Sequence, residues 1–259
     1  MTIEEIIKRK EELISIKKLA IKYTDQVKTL PIKEDVDGVL KVDMIQDEPN
    51  ENIKVIANTY NWLDSHGDVH VKGCFTKSIA ESLPANKIFH FDNHEHSFKS
   101  KVGNVKNVTE TKVKWSDLGI DKDGQTIALI GETELIEDYN CQVYNAYKAG
   151  EIDQHSVGMQ YLNIALAVNN PANEDEYKVW NEIFPLLGNP ESALSEGHFW
   201  VVREAKLKEY SCVLWRGSNS LTPTIKNIEP LEDTQDPEPI TITQNAQKEF
   251  IINLLKQNK

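Results

Sequence analysis

Apolar residues recur along this chain at two spacings, and the change from one to the other divides it into elements. From Thr2 to about Lys22, residues Ile3, Ile6, Ile7, Leu13, Ile14, Ile16, Leu19 and Ala20 fall at roughly helical intervals among Lys and Glu, and Thr2 with Glu5 can form a capping box. One amphipathic helix is predicted there. Residues 31–52 break the pattern: acidic, with scattered Pro, Gly and Asn, they read as a linker or a loosely packed lead-in. IKVIANTYNWL (53–63) is rich in β-branched and aromatic residues and predicts a strand, which SHGDVHVKG (65–73) ends with turn chemistry. Phe75 to Leu83 reads as a short helix stopped by Pro84.

Strand spacing then returns. VGNVKNVTETKVKWSDL and QTIALIGETELI alternate apolar with polar residues across the turn signal DKDG, which predicts antiparallel strands. DYNCQVYNAYKAGEI (138–152) places Val143, Tyr144 and Tyr147 at helical spacing, with Gly150 positioned to end the helix. HSVGMQYLNIALAV (155–168) has strand composition. Residues 169–197, with NNPANEDE and LLGNPESALSEG, read as a turn-rich insertion over the core, and FWVVREAKLKEYSCVLW as two further strands. PTIKNIEPLEDTQDPEPITIT is Pro-rich and acidic, the composition of a disordered tail, and NAQKEFIINLLKQ predicts a final helix. The expected organisation is a helix and linker over 1–52, a core over 53–222 of α+β class with mainly β content, and a tail over 223–259.

Composition narrows the function classes. At 259 residues, 39% hydrophobic and 27% charged, the chain suits one substantial core with flanking segments. No apolar run approaches the length needed to cross a bilayer, and MTIEEIIKRKEELISIKKLA lacks the apolar centre and cleavage site of a secretory signal, so a cytosolic product without a membrane span is expected. The net charge of -12, with no basic stripe to offset it, disfavours nucleic acid as a partner. Cys74, Cys141 and Cys212 form neither a zinc pattern nor a disulfide framework. Cys212 reads as a buried strand residue, and Trp62, Trp115, Trp180, Trp200 and Trp215 as core or surface anchors.

Candidate chemistry concentrates in KIFHFDNHEHSFKSKVGNV (87–105), which holds His90, His94 and His96. A metal site is one reading, because His90 and His94 would share a helical face. Against it, Lys87 to Phe91 alternates in strand fashion and no HExxH is present, since Glu95 lies between His94 and His96. A polar loop rich in histidine is the second reading. The third is a general base for a nucleophile elsewhere, and GEIDQHSVGMQY offers Ser156, whose hydroxyl needs an imidazole to take its proton. His155 is adjacent, but alternation along a strand sends its side chain to the opposite face.

The ordered landmarks DSHGDVHVKGCF, DNHEHSFKSKVGNV, AGEIDQHSVGMQY and LKEYSCV resemble the prohead proteases of tailed bacteriophages, relatives of the herpesvirus assembly proteases, over about residues 53–216. The resemblance implies His94 as general base with Glu95 and Gly103 in the neighbouring motif positions, Ser156 as nucleophile, and Glu209 as the third member, with His96 and His198 as rivals for that role. The chain departs from the family in VLWRGSNSLTP after the last motif and in the insertion at 169–197.

What the resemblance implies is acyl transfer by a serine endopeptidase on a small antiparallel β-barrel wrapped by helices, with flexible terminal extensions and no cofactor. Val157 and Gly158 amides, or Arg203, are candidates for stabilising the oxyanion. The expected partners are major capsid protein and scaffold protein as substrates, inside the viral prohead in the host cytoplasm, with a homo-oligomeric or assembly-associated state and self-cleavage of a flank. The alternatives are a non-catalytic assembly module on the same fold and a metal-dependent hydrolase using His90, His94 and His96.

Overall fold

A computed structural model describes residues 1–22 and 52–225. The expected linker before Asn52 and, from residue 226 on, the expected tail and final helix lie outside the described residues; Thr224 and Ile225, expected in the tail, pair instead with Val55 and Lys54 of the core.

The N-terminal amphipathic segment forms two helices, α1 (Ile3–Lys8) and α2 (Lys10–Leu19), and then a short strand, β1 (Ile21–Lys22). The capping box is present, with Thr2 accepting from the Glu5 amide and Glu5 accepting from the Thr2 amide. The expected single helix is broken at Arg9, which has left helical geometry. The segment packs on the core instead of standing apart from it. Ile6 is buried in the main core cluster, Lys10 pairs with Glu176 at 2.8 Å, and Lys17 Nζ reaches Asp68 Oδ1 at 2.5 Å.

Two sheets carry the rest. One contains β2 (Asn52–Thr59), β5 (Gly103–Lys114), β6 (Gln125–Leu135) and β9 (Thr224–Ile225), in the order β5-β6-β2-β9 and antiparallel throughout. The other is built on the long antiparallel pair β7 (His155–Val168) and β8 (His198–Cys212). β1 lines the outer edge of β7, while β3 (Asp68–His70) and β4 (Phe89–Asp92) both lie parallel to β8, at its two ends. The fold is α+β with more strand than helix, and pairing is mainly antiparallel. The expected closed barrel does not form among the described residues: pairing ends at β1 and at β3 and β4 in one sheet, and at β5 and β9 in the other.

The main core lies between the sheets and includes Val55, Ala57, Leu129, Val157, Tyr161, Val202 and Tyr210. Residues 169–197 are not the turn-rich insertion expected. They form α5 (Glu174–Ile183) and α6 (Pro190–Glu196), whose Trp180, Ile183 and Ala193 pack with Phe184 and Leu187 against the back of β7 and β8 at Ala167, Phe199 and Val201. Because both faces are covered there, Phe199 to Val202 can be a continuous apolar run. The two strands expected in 199–215 are one. The remaining helices, α3 (Thr76–Ser82) and α4 (Cys141–Ala149), fall where the periodicity places them, and α4 ends on Gly150 in the left-handed conformation at φ 73°.

DSHGD is a structural corner. Asp64 Oδ1 accepts from the amides of His66 and Asp68, Gly67 takes φ 72°, and the fully buried Asp68 also accepts from Tyr161 Oη at 2.8 Å. Lys17 therefore supplies the cation for a carboxylate withdrawn from water, and with it the anchor of α2. Replacing Lys17 by Ala should lower stability by roughly 2 kcal/mol in urea unfolding, below the full cost of breaking a buried pair because the lysine is partly solvated. An unchanged unfolding midpoint would remove that anchoring role.

Candidate active site

Three segments that are distant in sequence meet at the C-terminal end of β8. Ser156 is the second residue of β7 and lies directly across from Ser211 of β8, with Gly158 across from Glu209. Side chains at alternate positions share a face, so Ser156, Gly158, Glu209 and Ser211 belong together. The register is set by an irregularity: Met159 pairs with Leu207 and Gly158 with Glu209, leaving Lys208 as an extra residue on β8. Leu207 and Tyr210 both belong to the main core. The bulge is what turns Glu209 and Ser211 away from it.

Glu209 is fully buried, and its two carboxylate oxygens have separate partners. His94 Nδ1 lies 2.7 Å from Oε1, and Ser211 Oγ donates to Oε2 at 2.7 Å. A carboxylate that accepts at this distance places the imidazole proton on Nδ1. His94 reaches this position through a tight turn after β4, in which Asn93 and His94 take φ 50° and 57°. Glycine at 158 is required for space: a Cβ there would come within 2.7 Å of the Glu209 carboxyl carbon.

The loop after β8 closes the site. Gly217 packs on Ser156, where a Cβ would lie 3.0 Å from that of Ser156 and 3.2 Å from its Oγ. Three and two residues earlier, Leu214 and Trp215 are 94% and 85% exposed. The chain then straps across the start of β7, and Thr222 accepts from the His155 amide at 3.2 Å while donating to its carbonyl at 2.6 Å.

The three clustered histidines have separate fates. His90 is fully buried on the opposite face of β4, His94 is bound to Glu209, and His96 is exposed with its ring centroid 5.3 Å from that of Phe91. They do not assemble a ligand set. Among the described residues the group with metal-ligand chemistry is Asp64, His66 and Asp68, and there Lys17 sits on Asp68 while backbone amides hold Asp64. His198, at the start of β8, is eleven residues from Glu209, about 35 Å along a strand. Arg203 is about 25 Å from Ser211 by the same measure and is engaged with Glu182 through its two terminal guanidinium nitrogens, Nη1 and Nη2, at 3.0 and 2.8 Å. Neither lies at the site. His155 diverges from Ser156 as alternation requires, with its ring on Tyr147.

Behind the site runs a continuous polar chain that sequence reasoning missed. The Thr222 carbonyl accepts from His155 Nδ1, His155 Nε2 then accepts from Tyr147 Oη, Tyr147 accepts from His90 Nε2, and His90 Nδ1 accepts from Thr133. Tyr210 completes it at 2.5 Å from Thr133 Oγ1. This order of donors and acceptors is the one two neutral imidazoles allow, with the Thr222 carbonyl fixing the His155 tautomer. Burial pushes His155 down to about 4, and burial with the neighbouring His155 holds His90 well below the usual imidazole range.

No family model, curated protein or solved structure matches this chain.

The buried imidazoles make stability depend on pH. Above about 6.5 neither state is protonated at these positions; as pH falls from there toward 4 the unfolded chain takes up protons that the fold refuses. Stability should therefore fall by ~1 kcal/mol per pH unit for each histidine in that window. Urea midpoints at about pH 7.5 and 5.5 measure this, and equal midpoints would contradict it.

Proposed function

We propose that the chain is a serine endopeptidase of the head-maturation kind that its motifs resemble. The observation that carries the reading is the His94–Glu209 pair lying on the same face of β7 and β8 as Ser156, with one imidazole nitrogen committed to the carboxylate. In the proposed reaction Ser156 Oγ attacks a peptide carbonyl and passes its proton to His94 Nε2. The imidazolium is stabilised by Glu209 and returns the proton to the leaving amine, and water then releases the acyl group by the same route in reverse. Glu209 takes the third role in preference to His96, which is exposed, and to His198, which is remote. The Val157 and Gly158 amides, beside the nucleophile, are the candidate oxyanion donors once Arg203 is set aside. The exposed Leu214 and Trp215 stand in the loop that Gly217 brings against Ser156, where an extended substrate would pass.

On this reading the substrates are scaffold and major capsid proteins and the enzyme's own flanks, cut within an assembling shell in the host cell, on a fold of the herpesvirus assembly protease type. Docking through a flank would then involve segments outside the described residues, because the N-terminal helices are part of the packed core.

Fluorophosphonate treatment followed by peptide mass spectrometry tests the nucleophile: Ser156 should carry the label, and a native protein left unlabelled would defeat the assignment. Co-production with the shell and scaffold proteins should show processing by native protein and none by Ser156→Ala or His94→Ala. Glu209→Gln should fold and lose on the order of 10³-fold in rate. Gly158→Ala should fall by about 10²-fold through displacement of the Glu209 carboxylate. Native-like rates in the glycine variant would show that the carboxylate need not occupy that space.

A further inference from the structure

We infer that Ser211 is a positioning residue for the His94–Glu209 pair and, through it, for proton transfer from Ser156; the second half rests on the endopeptidase reading. Ser211 is fully buried, and its hydroxyl is engaged from both sides. It donates to Glu209 Oε2 at 2.7 Å and accepts the His94 backbone amide at 3.1 Å. One oxygen thus ties the carboxylate to the turn that carries the imidazole.

Each bond removes a particular freedom. Rotation about the last torsion of a glutamate is soft, so a carboxylate held through one oxygen can swing. With Oε1 on His94 and Oε2 on Ser211, its plane is fixed. The second freedom is that of the turn. His94 holds φ 57°, a conformation unfavourable for a residue with a Cβ, and its amide bond to Ser211 helps to offset that cost. A serine present only to fill the space between β4 and β7 could be alanine, and a buried hydroxyl is unfavourable unless its bonds are made. Here both bonds go to the two members of the pair.

The test reads the geometry and the chemistry separately. In the native protein the His94 Nδ1 proton, bonded to a carboxylate, should give a downfield proton NMR signal. Ser211→Ala should broaden or abolish it, and Ser211→Thr, which keeps the hydroxyl, should retain it. In fluorophosphonate labelling of Ser156, Ser211→Ala should lower the inactivation rate constant by about 10- to 100-fold without changing the reagent's binding constant. In a Glu209→Gln background the same change should cost several-fold less than in the native protein, because one of the two bonds made by Ser211 runs through that carboxylate and only the bond to the His94 amide is left to lose. Should Ser211→Ala fail to fold, Ser211→Cys, a poorer donor of similar size, is read in the same two ways. An unchanged Nδ1 signal in the hydroxyl-free variant, or fully additive losses in the double variant, overturns the inference. A native protein that shows the signal, loses it in Ser211→Ala, but never labels at Ser156 overturns the endopeptidase reading and upholds the positioning role.

Discussion

An ionised carboxylate without contact to water is tolerated only where its charge and its lone pairs are met, and Glu209 imposes that requirement on its whole surroundings. The Lys208 bulge turns it off the inter-sheet core, Gly158 vacates the volume it fills, Ser211 takes one oxygen and His94 the other. The His94 turn is strained, and β4 must run parallel to β8 for that turn to begin beside Cys212. Altering any one of these leaves the carboxylate short of a partner or short of space. The site is therefore a single solution to one desolvation problem, assembled from β4, β7 and β8.

The two faces of the β7–β8 end divide the work. The outer face carries Ser156, Glu209 and Ser211, and the inner face carries His155 and Tyr210 within the chain from Thr222 to Thr133. That inner chain joins β4, β6, α4, β7, β8 and the closing strap through groups with complementary donor and acceptor roles. Fully satisfied buried networks are rigid, because a slip of any member leaves a polar atom unmatched. Ser156 and Glu209 are each one residue from a member of it. The backbone beneath the candidate nucleophile and the candidate carboxylate is fixed from behind by hydrogen bonds that take no part in the proposed chemistry.

Local pattern made β7, the β5–β6 hairpin and α4 readable, and alternation alone separated His155 from Ser156. The same alternation misleads on β8. Read strictly, it puts Leu207, Glu209 and Ser211 on one face, yet Leu207 is core and the other two are not, because a bulge depends on the partner strand. The clustered histidines show the same limit: alternation sets His90 opposite Phe89 and Phe91, but which face is buried follows from where β4 docks. Residues 169–197 were hidden differently. Asn, Pro and Gly at their ends signal turns, while Tyr177, Trp180, Ile183 and Phe184 between them hold a helical stripe outweighed by those signals. In the N-terminal segment the periodicity was visible, but the buried partner of Lys17 was not.

The motifs of the resemblance do not bear equally on function once placed in the fold. DSHGD forms a corner and anchors α2, and Gly103 is needed because its Cβ would strike the Glu134 main chain. Those positions would be demanded by any protein folded this way, active or not. Glu209 is different. A buried ion pair is seldom more stabilising than apolar side chains of similar volume, so folding alone gives no reason to keep a carboxylate there. It requires a glycine opposite, a bulge beneath and a left-handed turn beside it, all of which cost stability. Those costs converge on one imidazole, two strands from a serine that a second close-packed glycine, Gly217, leaves room for. That concentration of structural expense at a single imidazole–carboxylate pair, and not the order of motifs by itself, is the physical argument for the proposed chemistry at this site.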